Sequence, residues 1–450
     1  MDALGLVTAF MMLSAGAFLS ARLGFFQFTH LGRALAAPFE RSRNGAGVTP
    51  FQAMATALGS SVGTANIAGV AGAIILGGPG AVFWMWAAGL FGMGTKFCEI
   101  VLAMLYRKSG AEPGGGPMLY MERGLGRFGR TLARLFSLFG CFSALFGTAL
   151  VQSNTLALAA NGLLGSLGAL RPSAASSIVI GVLTALLAGA VIFGGAKRIG
   201  RFSERAVPVM AAAYAIVSLA AIFMNRARLA GAFLSVVRGA FGIRSAAGGF
   251  MGAGLIRAMK VGVARGVYSN EAGVGSAPIA HAASSETDPV RQGLLGVFEV
   301  FADTIVMCTL TAFVILTSGL DFSAYRDGTA LAFAAFSHPL GAKPAAVFLS
   351  ASVLLFAFTS IVGWEYYGER CFSYLAKGVS AAPFRAAFLL LIPVGAAVAP
   401  AFAWRAGELF NYLMASPNVT ALLLLSGKAA REARTYKMFE KFHKRSYNKG

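Results

Sequence analysis

Along the chain, apolar residues gather into blocks of roughly 20, and short stretches between them hold most of the charge. About 20 apolar residues make a helix long enough to cross a hydrocarbon core about 30 Å thick. Such blocks run over residues 3–26, 52–77, 80–106, 132–165, 176–194, 206–224, 246–264, 292–318, 344–368, 384–403 and 408–427. They predict an all-α polytopic membrane protein with about 11 transmembrane helices. The first block has no basic stretch before it and no small-residue cleavage signal after it, so it reads as a helix rather than a leader.

Two blocks carry polarity and glycine at membrane depth. GSSVGTANIAGV (59–70) interrupts the second, and SAAGGFMGAG (245–254) interrupts the seventh. A glycine in a helix interior costs roughly 1 kcal/mol relative to alanine. Unwound backbone is tolerated in a bilayer only where protein buries it or it lines a cavity. With the first block set aside, the remaining ten divide into two halves of five, each opening on an interrupted helix. Interrupted helices in matching positions of two halves mark the central site of a secondary transporter. The chain then divides into an extra helix and loop (1–51), two five-helix repeats of inverted topology (52–224 and 225–427) and a basic tail (428–450).

The ends exposed by such a break have opposite character. A half-helix N-terminus offers unpaired N–H groups to an anion, and a C-terminal end offers carbonyls to a cation. Close packing through small residues explains Gly and Ala at a break, but not Ser60, Ser61, Thr64 and Asn66 together. Thr359 and Ser360 in LFAFTSIVGWEYYG (355–368) add hard oxygen ligands of the kind that hold alkali and alkaline-earth cations. Gln152 and Asn154 in VQSNTLALAAN are mid-span amides that need partners.

Composition agrees: 57% of the 450 residues are hydrophobic and 12% are charged, against about 25% charged in soluble domains. The net charge of +20 is explained by its placement. With the N-terminus outside, the loops 27–51, 107–131, 195–205, 265–291 and 369–383 and the tail after 427 face the cytoplasm and hold most of the Lys and Arg. That is the positive-inside pattern, and it calls for no nucleic acid. The tail reads as a solvated segment able to lie on anionic lipid. Cys98, Cys141, Cys308 and Cys371 read as buried apolar groups.

Other patterns are set aside. GSSVG (59–63) matches a nucleophile elbow, but its flanks are membrane helix and not a strand–turn–helix, so an intramembrane serine protease is disfavoured and no catalytic residue is assigned. A channel needs a continuous polar path, and the polar residues here form one compact cluster. GLGRFG (124–129) follows no strand, and NVT (418–420) lies in an apolar span. Intramembrane acids are functional suspects by default. Glu299 and Asp303 on one helix, with Lys96 and Glu99 on another, are expected to pair as an inner gate. The central site is expected to hold no acid, and span 206–224 has no lysine. Both features favour sodium over proton coupling, and a proton-coupled symporter of the same fold is the alternative.

TALGSSVGTANIAGVAGAIILGGPGAVFWMW (56–86), GGGPMLYMERGLG (114–126), VQSN (151–154), GGAKRIGRFSERAVPVMAAAY (194–214), RGVYSNEAGVGSAPIAHAA (265–283), DTIVMCTLTAFVIL (303–316) and GWEYYGER (363–370) resemble the alanine/glycine:cation symporter family of bacteria and archaea. The resemblance implies the leucine-transporter-type inverted-repeat fold. It also implies import of small neutral amino acids with sodium across a prokaryotic plasma membrane, and no enzymatic cofactor. By the same resemblance, sodium would be held by the carbonyls of Gly59, Val62 and Phe356 and the hydroxyls of Thr359 and Ser360. Thr64 and Ala65 would hold the substrate carboxylate. Asn66, Gln152, Asn154, Phe250 and Trp364 would surround the rest of the substrate, and Ser61 and Asn66 fall where some relatives place a second ion. The chain departs from the family in reading GTAN, with Ala65 where glycine is usual, and Thr359-Ser360 where Ser-Thr is common.

Overall fold

The structure is a computed structural model that describes residues 3–40, 47–108, 114–166, 172–242 and 251–447. These residues are helical, with no strand among them. The first helix, α1 (Ala3–Arg22), precedes a helix interrupted in the middle, α2 (Pro50–Ser61) and α3 (Ala68–Gly77). Next come α4 (Gly80–Tyr106), then α5 (Pro117–Phe142) and α6 (Leu150–Ser166), joined through a π-helical segment at Ser143–Ala149. α7 (Ala174–Ile192), α8 (Gly195–Met224) and the short α9 (Leu229–Ala240) follow.

The rest of the chain holds α10 (Met251–Asn270), the short α11 (Ala277–His281), and α12 (Pro289–Val300) running into α13 (Thr309–Ser318) through a π segment at Phe301–Cys308. It ends with α14 (Gly328–Leu340), α15 (Ala342–Leu375), α16 (Ala382–Ala397) and α17 (Pro400–Tyr447). Seven of the described helices are long and apolar enough to cross a membrane unaided. The other predicted spans fall on shorter or interrupted helices, α1, α2–α3, α10–α11 and α16.

Local chemistry sets the ends that matter. Thr49 caps α2 in a capping box with Gln52, and Pro50 takes the first helical position, where its missing N–H costs nothing. α2 stops because Val62 adopts φ −66°, ψ 101°. The helix resumes at Ala68 after one 3₁₀ turn at Thr64–Asn66.

α4 is the axis of the molecule and packs against α10 and α12. Small residues allow the contact: a Cβ on Gly262 would stand 2.2 Å from the Ala81 carbonyl oxygen, and one on Gly266 2.9 Å from the Ala88 Cβ. α7 and α8 turn Leu183, Leu186, Leu187, Ile216 and Leu219 outward, as bilayer-facing helices do. All four cysteines are buried and free, as expected.

The structure corrects three expectations. First, the chain between 265 and 291 is not a solvated loop. α10 continues to Asn270 and breaks at 271–276, and α11 follows. Gly273 and Gly275 carry φ +94° and +91° there, a region open to glycine. Ser276 and His281 are fully buried. This break is additional to the one expected at 245–254, most of which, with Phe250, lies outside the described residues. The run reads as a loop because it is polar, but those polar groups are satisfied inside the protein.

Second, part of the expected loop 107–131 is helical: a helix from Pro117 kinks at Gly126 (φ +62°, ψ −132°) and leads into the fourth span. Third, the basic tail is not loose: α17 runs on to Tyr447, with Ala429, Ala430 and Ala433 buried against the protein.

Gly262→Leu would push side-chain atoms into the backbone of α4, and overpacking of this kind costs about 1–3 kcal/mol. The expected result is a midpoint of thermal unfolding lowered by several degrees. Gly231→Ala, where a Cβ meets nothing within 4 Å, should leave it unchanged. A differential scanning measurement on both purified variants checks this.

Candidate functional site

The first break presents two chemistries on its two sides. On the α2 side, the carbonyls of the last turn have lost their helical partners. The Gly63 N–H, which would bond the Gly59 carbonyl in a continuing helix, bonds Asn66 Oδ1 at 2.9 Å instead. α15 lies against this turn. Ser360 Oγ donates to the Ser60 carbonyl at 3.1 Å and the Gly59 carbonyl at 3.4 Å, and Thr359 Oγ1 donates to the Phe356 carbonyl at 3.0 Å.

A Cβ on Gly59 would meet the Thr359 Cβ at 3.3 Å and Val207 Cγ2 at 2.7 Å, so only glycine lets α15 and α8 come this close. Five neutral oxygens thus lie along the contact between α2 and α15: those of Gly59, Ser60 and Phe356 and the two hydroxyls. All five residues are buried. Val62 follows at the exit of α2, and its N–H donates to the Leu58 carbonyl at 2.8 Å. Neutral hard oxygens at the negative end of a helix suit an alkali cation.

On the α3 side, the 3₁₀ turn leaves the N–H groups of Thr64 and Ala65 without acceptors among the described residues. The positive end of α3 lies just beyond. Such a terminus receives anions readily. Gln152, on α6 just past its π segment, reaches this place: a Cβ on Gly63 would stand 3.4 Å from Ser360 Oγ and 3.6 Å from Gln152 Nε2. The Gln152 Oε1 atom is buried and has no partner. An orphaned acceptor beside orphaned N–H groups matches the ammonium and carboxylate of one zwitterion.

The other expected residues sit differently. Asn154 turns to α16 and donates to the carbonyls of Gly395 at 3.1 Å and Val398 at 2.7 Å, so it ties helices together rather than facing the break. Ser61 donates back to the Leu58 carbonyl at 3.2 Å. Asn66, expected at the substrate and at a second ion, is fully buried, and its Nδ2 donates to Asp303 Oδ1 at 2.7 Å and Ser269 Oγ at 3.2 Å. Trp364 is buried and donates from Nε1 to Glu271 Oε1 at 3.2 Å, which joins α15 to the second break.

Sequence reasoning placed Asp303 in a gate and missed Glu271. An acid does stand beside the first break. Asp303, in the π segment after α12, accepts from Asn66 on Oδ1 and from Ser269 at 2.7 Å and Thr304 at 2.9 Å on Oδ2. Its assigned place in an inner gate is therefore corrected. Glu299 instead meets His281 at 2.5 Å, and Glu99 accepts from Asn418 at 2.6 Å. Lys96 is buried and makes no ion pair with them within 4 Å. Side chains four apart on a helix share a face, but a π segment rotates the residues after it, and Asp303 sits inside one. Glu271 holds φ +52°, which is strained for a residue with a Cβ, and Ser276 donates to it at 2.6 Å. The signal was available: both Ser269 and Glu271 belong to the SNEAG run.

The sodium:alanine symporter family matches residues 3–449. A sodium/alanine symporter of Methanococcus maripaludis is 38% identical over 439 residues, covering 96% of this chain and 94% of that protein. A probable sodium/glutamine symporter of Bacillus subtilis is 37% identical over 422 residues, covering 92% and 84%. Among solved structures, MhsT in complex with L-phenylalanine aligns with a TM-score of 0.59 at 12% identity, covering 87% of this chain and 99% of that one. An outward-open Na⁺-coupled sialic acid symporter aligns with a TM-score of 0.51 at 13% identity, covering 96% and 85%. At such identities the two structures speak for the fold alone, that of leucine-transporter-type carriers.

Asn66→Ala would leave Asp303 Oδ1 and the Gly63 N–H without partners, and each buried orphan costs about 1–3 kcal/mol. Thermal unfolding of Asn66→Ala, Asp303→Ala and the double variant should give a cycle coupled by at least about 0.5 kcal/mol. Additive effects would mean that the Asn66–Asp303 contact does not hold the break.

Proposed function

Because the chain belongs to the sodium:alanine symporter family, we propose that it imports a small neutral amino acid, alanine or glycine, in symport with sodium. The observation that carries this reading is the division of labour at the first break. Carbonyl and hydroxyl oxygens of Gly59, Phe356, Thr359 and Ser360 lie on the α2 side, and N–H groups of Thr64 and Ala65 without acceptors among the described residues stand on the α3 side. The M. maripaludis relative, by its name a sodium/alanine symporter, supports both the ion and the substrate. The protein is a multi-pass membrane transporter and not an enzyme.

In this mechanism sodium binds between α2 and α15, drawing the last turn of α2 and the Thr359–Ser360 hydroxyls onto one centre. Val62 adds its carbonyl where the chain leaves the helix. That contact orders the 3₁₀ turn and aims the Thr64 and Ala65 N–H groups at the substrate carboxylate. Gln152 Oε1 accepts from the substrate ammonium, and Trp364 closes the pocket from α15. Ala65, in place of the usual glycine, puts a methyl group beside the carboxylate and favours the smallest side chains.

Ion and substrate each bind one conformation better than the other, and this difference in affinity couples their movements. The halves 52–224 and 225–427 are the two repeats that rock around the site, in a prokaryotic plasma membrane with the N-terminus outside. Asp303 takes no part in sodium binding here. It is the acid that the proton-coupled alternative would use.

Uptake of labelled alanine, glycine and glutamine into proteoliposomes under separate inward sodium, potassium and proton gradients tests the reading. Accumulation of alanine or glycine only with sodium is expected. Thr359→Val with Ser360→Ala should raise the half-saturating sodium concentration roughly ten-fold or more, since a contact to a charged group is worth about 1.5–3 kcal/mol. Unchanged sodium dependence would remove the ion site, and accumulation driven by protons alone would move the coupling to Asp303. Glutamine carried in preference to alanine would overturn the substrate assignment.

A further inference from the structure

At the end of the membrane-spanning part of α17, apolar sequence gives way to KAAREAR (428–434). There α17 packs beside the end of α1. Between the two helices lies a cavity of about 470 Å³. Its polar wall is Arg22, Lys428, Arg431 and Arg434, and its apolar wall is Leu424, Leu425 and Ala430. Gly427 lies beside Arg22: a Cβ there would stand 3.5 Å from Arg22 Nη2.

The charges around this cavity are unbalanced. Elsewhere on the same end of the molecule arginines are matched to acids, Arg291 with Glu40, Arg385 with Glu369 and Arg130 with Glu122. Among the described residues Arg22, Arg431 and Arg434 form no ion pair, and Lys428 meets only the hydroxyl and ring of Tyr106. No acidic residue lines the cavity. Four like charges at close quarters repel, and only an anion offsets that repulsion.

The apolar side identifies which anion. Leu424 is 58% exposed and sits one turn toward the membrane from Lys428. A free anion has no use for that wall, whereas a phosphodiester carrying acyl chains fits both halves. The α17 helix is also held in place, because Arg33 bonds the Tyr436 hydroxyl at 2.9 Å and Lys437 lies over the Phe26 ring at 5.4 Å. The basic wall is therefore built and not a floating tail.

We propose that the cleft between α1 and α17 is a binding site for the phosphodiester headgroup of an anionic glycerophospholipid. Arg22, Arg431 and Arg434 contact the phosphate oxygens, Lys428 stands at the rim, and Leu424 guides the acyl chains. Basic pockets between membrane helices at the cytoplasmic interface are suited to such headgroups, each cation contributing about 1 kcal/mol. The bound lipid would clamp the extra N-terminal helix to the last one, two helices outside the substrate site.

The test is native mass spectrometry of the full-length protein released from micelles containing equal dioleoyl phosphatidylglycerol and dioleoyl phosphatidylcholine. The wild type should retain phosphatidylglycerol preferentially. Arg22→Gln/Arg431→Gln/Arg434→Gln should weaken that retention about five-fold for each charge removed, and the matching triple Lys variant should restore most of it. Lys197→Gln/Arg201→Gln/Arg205→Gln, which removes the same charge from the start of α8, should leave it unchanged. Equal loss in both Gln triples would show a generic basic surface and overturn the site, as would no loss in either. Displacement of the lipid by excess inorganic phosphate would show a free-anion site and overturn the lipid assignment.

Discussion

Everything at the centre of this molecule depends on one requirement: a helix opened inside the bilayer must have its backbone satisfied from within. Asn66 meets much of it. Its Oδ1 takes the Gly63 N–H at 2.9 Å, its carbonyl accepts from Thr311 Oγ1 at 2.7 Å, and its Nδ2 reaches Asp303 at 2.7 Å and Ser269 at 3.2 Å. One buried amide thus joins the first break to the π segment after α12 and to the end of α10, where the second break begins. Polar networks of this kind are stable only when every member is paired, and this one occupies both sides of the Asn66 amide.

Because Asn66 settles the Gly63 N–H, other groups stay free. The Gly59 and Ser60 carbonyls are left to the Ser360 hydroxyl, and the Thr64 and Ala65 N–H groups are left without acceptors. The oxygens lie on one side of the break and the donors on the other, so a cation and an anion can sit close together without a charged side chain between them. Glycine makes the close approach feasible at Gly59, and the Trp364–Glu271 bond ties α15 to the second break. A movement of α15 would therefore be felt at both breaks.

Much of this was legible in the chain. GSSVGTANIAGV places glycine and hydroxyls where lipid tolerates neither unless they are buried, and the break lies within it. Thr359 and Ser360 were legible as oxygen ligands by type, and Gln152 as an amide in need of a partner. Asn154 has the same chemistry as Gln152 and lies two residues away, yet faces α16, because positions two apart on a helix point in different directions. The break at 271–276 was not expected because polar, glycine-rich chain reads as loop, and only partners such as Glu271 for Ser276 and Gln292 for His281 reveal it as interior. Asp303 looked like half of an i, i+4 pair with Glu299, but the π segment between them sends the two acids to different partners.

The sequence by itself determined the all-helical membrane architecture, the first broken helix and the chemistry available at it. Those follow from hydrophobic length, from glycine in a helix and from the types of polar atom present, which are local properties. Only the tertiary structure decided which polar residues face one another, that the chain opens again at 271–276, and that an acid stands beside the first break. Those depend on how α4, α10, α12 and α15 close around the centre. A buried polar group takes whichever partner packing brings within about 3 Å, and the spacing of residues along the chain does not carry that information.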